Sequence, residues 1–443
     1  MPQIAAVRLS ERLQIDVAAA EALLAAADND EETAAAVYVG YNDGDPAILD
    51  DFGEATQREV KKKLAVLEPF LSRNGAVVLD GGLATELEAR YFSQFHPAKL
   101  PQDSLNELSQ ALQPMVMFLD IKPNLISKLV MHMGLRPSLT LKFSPFQARG
   151  ADLKDSLWSA RLLRDDPELI AAVHTAYFAA GADAGISASY QATVQGLTRD
   201  LGISDEEATT LLKRSVELLV TARDEFWEGL SEEEQGKRCK PLAAVSIGPF
   251  GAFQADGSEY TGDYPIGEQE LKTWHLERLD LLARSGGDIL AMETVPCLNE
   301  VRALLSLLRD HVPEVPAWLA VSCKDEAHLC SGESLEEMAQ LLKESAPPNL
   351  VAVGVNCSAP NHISGAMARL SAAGRPLLTY PNSGEVWENC THTWKAASGT
   401  SDDKFAEMTA EWLDQGVQLI GGCCRTGPET IRKVRDAVEQ RGR

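Results

Sequence analysis

The chain has 443 residues, of which 45% are hydrophobic and 24% charged, and is therefore long enough for one large domain or two ordinary ones. Its formal charge of -24 opposes binding to nucleic acid phosphates, and no apolar run approaches the roughly 20 residues that span a bilayer. Eight cysteines are too few for a disulfide scaffold in a chain of this length, and no secretory signal pattern is present, so we expect reduced thiols in the cytoplasm.

Residues 1–66 are rich in alanine and in acidic side chains, and their short helical runs predict an acidic helical extension. The spacing of these runs faintly resembles a ubiquitin-associated module, which would imply a contact with ubiquitin. The glycine-containing loop usual in such modules is missing, and the alternative is a solvated or partly disordered extension.

Eight short apolar segments between residues 76 and 425 are typical of buried strands. They are Ala76–Asp80, Ala182–Ser189, Leu242–Ile247, Asp288–Met292, Ala317–Ser322, Leu350–Asn356, Pro376–Tyr380 and Val417–Ile420. Most are separated by segments with helical periodicity, and Ser204 and Ser334 each precede acidic residues as helix caps do. The predicted helices include Pro167–Ala180, Glu206–Phe226, Glu268–Arg284, Leu298–Asp310, Ser334–Lys343 and Asp402–Asp414. This alternation predicts an α/β chain with a (β/α)8 TIM barrel over residues 67–443 rather than an open doubly wound sheet.

Three cysteines come just after predicted strands: Cys357 directly follows the sixth, and the adjacent pair Cys423 and Cys424 follows the eighth after two glycines. The C-terminal ends of barrel strands meet at one face, so we expect these thiols to converge there. Zinc binds thiolates tetrahedrally, and catalytic zinc sites usually keep three protein ligands and one open position. The trio therefore predicts a catalytic zinc site, with buried structural cysteines as the alternative. Residues not expected to bind metal are Cys239, Cys297, Cys323, Cys330, Cys390, His174, His362 and His392.

Other polar groups also stand at predicted strand ends. Asp80-Gly81-Gly82 follows the first strand, and its glycines would let the backbone approach one end of a small zwitterion, although a simple tight turn is the alternative. Tyr190, Glu293 and Asn356 stand at the ends of strands two, four and six.

Five motifs, in this order, resemble the homocysteine S-methyltransferase family. They are Asp80-Gly81-Gly82-Leu83-Ala84-Thr85-Glu86-Leu87-Glu88, Glu293-Thr294-Val295-Pro296, Gly354-Val355-Asn356-Cys357, Tyr380-Pro381-Asn382-Ser383-Gly384-Glu385 with Trp387, and Ile420-Gly421-Gly422-Cys423-Cys424-Arg425-Thr426. The resemblance runs from about Leu67 to Val438 with one interruption. It implies a barrel that binds Zn²⁺ through Cys357, Cys423 and Cys424 and transfers a methyl group to homocysteine, forming methionine.

The resemblance further implies that Glu293 contacts the homocysteine amino group and that the Asp-Gly-Gly turn lines the same amino acid. The expected substrate-binding residues are Asp80, Gly81, Gly82, Tyr190, Glu293 and Asn356. No separate catalytic side chain is expected, because zinc deprotonates a coordinated thiol. The Tyr380–Glu385 stretch resembles the sulfonium-using branch, which favours S-methylmethionine as donor and S-adenosylmethionine second. Aromatic residues that could face a sulfonium, or simply pack, are Phe250, Tyr260, Tyr380 and Trp387.

Two other functions remain open on the same barrel. A zinc hydrolase would place water in the open position, but the His-x-His and His-Glu-x-x-His patterns of such sites do not occur. A non-catalytic zinc-binding barrel would have its mouth blocked by residues 91–149, which family sequences lack. This insert carries six basic and three acidic side chains, so its charge is +3, and it has no clear period. We interpret it as a translated intron or a poorly ordered surface loop; an ordered loop could act as a lid.

Overall fold

Eight parallel strands form the centre of the computed structural model, which describes residues 65–94, 158–384, 387–388, 393–394 and 399–441. Their bounds are Val77–Val78 (β1), Ala184–Ile186 (β2), Leu242–Ile247 (β3), Ile289–Val295 (β4), Ala317–Val321 (β5), Leu350–Asn356 (β6), Leu377–Tyr380 (β7) and Val417–Ile420 (β10). Two short antiparallel strands, β8 (Trp387–Glu388) and β9 (Thr393–Trp394), pair with each other. All eight strands predicted from the sequence are confirmed.

The strands close into a barrel. Hydrogen-bonded neighbours follow the order β1-β10-β7-β6-β5-β4-β3-β2, and all of these pairs are parallel. A parallel bridge between Leu79 and Ala184 joins β1 to β2, where the Asp80 amide donates to the Ala184 carbonyl at 3.0 Å. The predicted (β/α)8 barrel is confirmed.

Helices precede, separate and follow the strands, as a parallel sheet buried on both faces requires. Their bounds are Glu68–Asn74 (α1), Leu83–Gln94 (α2), Trp158–Asp165 (α3), Pro167–Ala180 (α4), Val194–Leu201 (α5), Asp205–Glu228 (α6), Glu232–Lys237 (α7), Phe250–Gln254 (α8), Glu268–Ala283 (α9), Leu298–Asp310 (α10), Leu335–Ser345 (α11), Pro360–Leu370 (α12), Asp402–Asp414 (α13) and Pro428–Arg441 (α14). Short 3-10 turns cover Ser258–Tyr260 and Ser371–Ala373. Ser204 and Ser334 form capping boxes with the glutamates three residues later, as their spacing predicts.

The barrel interior is filled with side chains. The alanines of neighbouring strands β3 to β6, such as Ala244 and Ala352, leave room for the large rings of Trp318 and Tyr380. The Trp318 indole donates a hydrogen bond to the Tyr380 hydroxyl at 3.2 Å. Phe70 of α1 packs into the same cluster. A substrate must therefore bind at the C-terminal end of the barrel rather than pass through it.

Strand β4 is longer than its sequence predicts, because it continues past Met292 to Val295. Its pairing with β5 shifts register between Met292 and Val295, and Thr294 adopts a left-handed φ of 60° within that shift. Bulges of this kind re-aim side chains next to functional sites. This one lies at Glu293 and Thr294, two residues of the family-like motif.

The chain divides into two units. The barrel lies in the unit formed by residues 65–86 and 159–441, while residues 87–94 and 158 belong to the other. The predicted extension, apart from residues 65–66, and the insert, apart from residues 91–94, lie outside the described residues. Helix α2 runs across the predicted start of the insert at residue 91. Among the helices that the structure describes, none is long and apolar enough to cross a membrane.

Candidate metal centre and substrate pocket

The three predicted thiols meet at the C-terminal end of the barrel. Cys357 directly follows β6, with a left-handed φ of 49°, while Cys423 and Cys424 follow β10 after two glycines. Their Sγ atoms all lie within 4.8 Å of one another, and the Cys357 and Cys424 sulfurs are 3.5 Å apart. The end of β7 holds both segments, since the Cys357 amide donates to the Tyr380 carbonyl at 3.2 Å and the Cys423 amide to the Pro381 carbonyl at 2.8 Å.

This donor set fits a zinc ion. Tetrahedral coordination with a zinc–sulfur distance near 2.3 Å separates neighbouring sulfurs by roughly 3.8 Å, close to the spacing found here. Cys357 is buried and the other two are half-buried. Within the described part of the chain, no other group of three metal-binding side chains comes together. Cys390 and His392 lie outside it.

The three thiols share their charge. Hydrogen bonds from the Cys423 and Cys424 thiols hold the pKa of Cys357 well below its usual range. The hydrogen bond with Cys357 is the largest cause that raises the pKa values of Cys423 and Cys424, and burial raises them further. A negative charge on one sulfur is thus stabilised by two protonated neighbours, which is the behaviour of a coupled cluster.

The Asp-Gly-Gly turn after β1 interlocks with the cysteine turn after β10. The Gly82 amide donates to the Thr426 carbonyl at 2.9 Å, and the Gly422 amide donates to the Asp80 carbonyl at 3.0 Å. A Cβ atom at Gly82 would lie only 2.5 Å from the Cys423 carbonyl oxygen. Glycine is therefore required by close backbone approach rather than by an unusual φ angle.

Two of the expected substrate-binding residues, Asp80 and Glu293, are buried carboxylates whose charges interact. Asp80 accepts a hydrogen bond from the Ile186 amide at 2.8 Å, and burial raises its pKa well above the usual range. Glu293 accepts hydrogen bonds from the hydroxyls of Ser246 and Tyr380. Burial, partly offset by the Ser246 hydrogen bond, raises the pKa of Glu293 to about 7. The charge of Cys357 acts in the same direction, so Glu293 and the thiol cluster interact electrostatically.

Asn356 and Tyr190 both contact Thr294. The Asn356 side chain accepts from the Thr294 amide at 2.7 Å and donates to its hydroxyl at 2.9 Å. Asn356 is fully buried, so it holds the left-handed Thr294 and with it the β4 bulge. Tyr190, which follows β2, forms a hydrogen bond with the Thr294 side chain. The predicted contacts of Asn356 and Tyr190 with substrate stay predictions.

The aromatic candidates divide into different environments. Phe250 packs edge-on against Tyr264 and Trp274, with ring centroids 5.3 and 5.2 Å away, as in an apolar core. Tyr380 is buried inside the barrel. The Tyr260 hydroxyl lies 3.4 Å from the Cys357 sulfur. For Trp387, the structure describes the backbone strand only.

The histidines show no sign of metal binding where they are described. His174 is fully buried in α4, both ring nitrogens lack a hydrogen-bond partner among the described residues, and burial lowers its pKa to about 3. His362 lies in α12, outside the metal-binding group. Sequence reasoning missed Ser246, which lies in β3 near its C-terminal end, and Glu259, which lies in the 3-10 turn beyond α8. The place of Ser246 near a strand end was a local signal, whereas Glu259 had none.

Comparison with known proteins agrees with this geometry. A sequence model of the family described as homocysteine S-methyltransferase matches residues 143–438. The chain belongs to the homocysteine S-methyltransferase family. The homocysteine S-methyltransferase YbgG of Bacillus subtilis (strain 168) is 44% identical over 289 residues, which are 65% of this chain and 89% of that protein. Homocysteine S-methyltransferase 1 of Arabidopsis thaliana is 42% identical over 299 residues, 67% of this chain and 90% of that protein.

A solved structure of the same kind resembles the whole barrel. The metallated form of the homocysteine methyltransferase MmuM from Escherichia coli superposes with a TM-score of 0.60 at 32% identity, covering 85% of this chain and 99% of that one. The family match begins at residue 143, after β1, so the Asp-Gly-Gly turn lies outside the matched residues. Its place in the site depends instead on its hydrogen bonds to the segment that carries Cys423 and Cys424.

Proposed function

We propose that this chain transfers a methyl group from a sulfonium donor to the sulfur of homocysteine, forming methionine, with Zn²⁺ held by Cys357, Cys423 and Cys424. The observation that carries the proposal is the three-thiol cluster at the open end of a barrel of this family. A zinc ion there would lower the pKa of the homocysteine thiol and keep it a thiolate at neutral pH.

The residues around the cluster are proposed to bind the amino acid. Glu293 is a buried carboxylate that interacts electrostatically with the thiols, suited to the amino group of homocysteine. The close-packed Asp80-Gly81-Gly82 turn, fixed to the cysteine segment, would line the same molecule, with Tyr190 and Asn356 completing the pocket. In the transfer, a lone pair of the homocysteine thiolate forms the new bond to the methyl carbon. The bond from that carbon to the donor sulfur breaks, and its electron pair neutralises the sulfonium.

We propose S-methylmethionine as the preferred donor, with S-adenosylmethionine second, on the resemblance of residues 380–385 to the sulfonium-using branch. We also propose a cytoplasmic enzyme in which residues 1–66 are an acidic helical extension and residues 91–149 an insert in the barrel of residues 67–443. The charge of -24 supports the absence of nucleic acid binding. A ubiquitin contact through the extension has only its helix spacing in its favour.

Turnover by purified, zinc-loaded protein tests the function. Methionine formation from homocysteine is measured with S-methylmethionine and, separately, with S-adenosylmethionine. Cys423→Ser should abolish turnover. Cys239→Ser is the matched control, because the Cys239 sulfur contacts the Pro69 carbonyl at the other end of the barrel and should leave turnover unchanged. Zinc binding without turnover with either donor would instead support a non-catalytic barrel.

A further inference from the structure

A further buried carboxylate, Glu259, stands in the segment between β3 and α9 and has no role in the function proposed so far. Only 9% of the residue is exposed. Its Oε2 atom is buried without a hydrogen-bond partner in the described ranges, whereas the Glu293 carboxylate bonds to Ser246 and Tyr380. None of the ion pairs found among the described residues involves Glu259. A hydrogen bond from the residue's own backbone N–H offsets only part of the cost of burying this charge, so the position favours a cationic ligand.

Glu259 lies beside the thiol cluster. Its charge contributes to raising the pKa values of Tyr190 and Cys330, and the charge of Cys357 acts on Glu259 in turn. The adjacent Tyr260 hydroxyl is 3.4 Å from the Cys357 sulfur. Burial raises the pKa of Glu259 to about 7, as expected for an acid kept from water without a counter-ion. The Glu259 carboxylate is therefore within electrostatic range of the thiol cluster.

The surrounding loop holds Glu259 in place. Its carbonyl accepts a hydrogen bond from the Ser322 hydroxyl at 3.0 Å. Gly251 packs under its backbone so closely that a Cβ there would lie 2.3 Å from the Glu259 nitrogen. The fully buried Glu300 also holds this loop. Its carboxylate accepts a hydrogen bond from the Phe250 amide at 2.6 Å and forms another with the His275 ring at 2.8 Å. A side chain fixed on this scaffold is pre-organised for binding.

We propose that the Glu259 carboxylate recognises the positive charge of the methyl donor's sulfonium and so distinguishes the donor from its neutral sulfide product. The assignment rests on the proposed methyl transfer. During that step the donor sulfur receives the electron pair of the bond to the methyl carbon, and its charge falls from +1 to zero. The carboxylate thus attracts the donor before transfer and no longer attracts the product after it. Because the charge is already fading in the transition state, the contact contributes to donor binding rather than to kcat.

The test is the steady-state kinetics of zinc-loaded Glu259→Gln, which keeps the side-chain shape and removes the charge. Loss of a buried, charged contact should raise KM for S-methylmethionine about 10- to 100-fold. The KM for homocysteine, kcat, zinc content and inhibition by methionine should stay within about threefold of wild type. Glu259→Asp keeps the charge and should recover part of the donor affinity. Asp263→Asn, an exposed carboxylate-to-amide change in the same loop, is the matched control.

The alternative outcomes separate this assignment from the function on which it rests. An unchanged donor KM in Glu259→Gln, with active wild-type enzyme, would overturn the role of Glu259 and leave methyl transfer intact. Equal weakening of S-methylmethionine binding and methionine inhibition would also overturn it, because methionine keeps the amino group and lacks only the sulfonium. If Glu259→Gln does not fold, Glu259→Asp decides alone through a donor-specific rise in KM, and an unchanged KM contradicts the proposal. A wild-type enzyme without turnover would overturn the proposed function itself.

Discussion

Replacing Gly82 by alanine should damage the thiol cluster without touching any of its sulfurs. The added Cβ would lie 2.5 Å from the carbonyl oxygen and 3.2 Å from the carbonyl carbon of Cys423. Ordinary contacts are near 3.5 Å, so the overlap is roughly 1 Å. Both atoms of the clash belong to backbone that cannot rotate away, and the turn carrying Cys423 must shift. Metal–ligand distances lie within about 0.2 Å of their standard values, so a shifted cysteine turn would disturb the coordination.

We therefore expect Gly82→Ala to lose about 1–3 kcal/mol of folding free energy and about 100-fold in turnover, and to bind zinc at least about tenfold more weakly. Zinc affinity is measured by competition with a chromophoric chelator, and turnover by methionine formation. Gly236→Ala is the matched control, because a Cβ at that position in α7 meets no atom within 4 Å. Wild-type zinc affinity and turnover in Gly82→Ala would refute the reasoning.

Three further changes probe the fold around the site. Asn356→Ala removes both hydrogen bonds to the left-handed Thr294, so we expect the KM for homocysteine to rise at least about tenfold by steady-state kinetics; an unchanged KM would show that the β4 bulge holds itself. Asn349→Ala leaves the carbonyls of Leu308, Val312 and Val315 without their shared donor and should cost about 2–3 kcal/mol in urea unfolding, with kcat unaltered; a wild-type midpoint would contradict this. The pKa of His174 is about 3 in the folded state and near 6.5 in the unfolded state. Its contribution to folding stability is therefore complete above about pH 6.5 and falls as the pH drops. Between pH 7.5 and 5.5, wild type should lose about 1.4 kcal/mol more than His174→Phe, and parallel pH profiles would argue against a neutral buried imidazole.

The barrel could be predicted because its strands are buried on both faces. Such strands are continuous apolar runs, and three of them, Leu242–Ile247, Leu350–Asn356 and Val417–Ile420, have the predicted bounds. Convergence of the three thiols follows from the same topology, since residues that directly follow parallel strands share one face of the barrel. The capping boxes at Ser204 and Ser334 depend on a local pattern and were equally predictable.

What the sequence did not reveal depends on contacts between distant segments. Glu259 stands among glycines and polar residues without periodicity, and the Ser322 hydroxyl, 63 positions along the chain, donates a hydrogen bond to its carbonyl. The bulge in β4 arises because the register of its pairing with β5 shifts beyond Met292. A run of apolar residues in the sequence does not indicate such a shift. For the same reason the sequence suggested that Phe250 could face a cation. In the structure its ring packs against Tyr264 and Trp274, which lie 14 and 24 positions later in the chain.

Zinc-edge X-ray absorption of the zinc-loaded protein, with and without homocysteine, tests the central claim most directly. We expect three sulfur ligands near 2.3 Å and one nitrogen or oxygen ligand before homocysteine is added, and four sulfur ligands afterwards. Cys424→Ser should reduce the sulfur count in both spectra. A zinc environment with fewer than three sulfurs, or one that homocysteine leaves unchanged, would contradict the assignment of Cys357, Cys423 and Cys424 as the site that activates the substrate thiol.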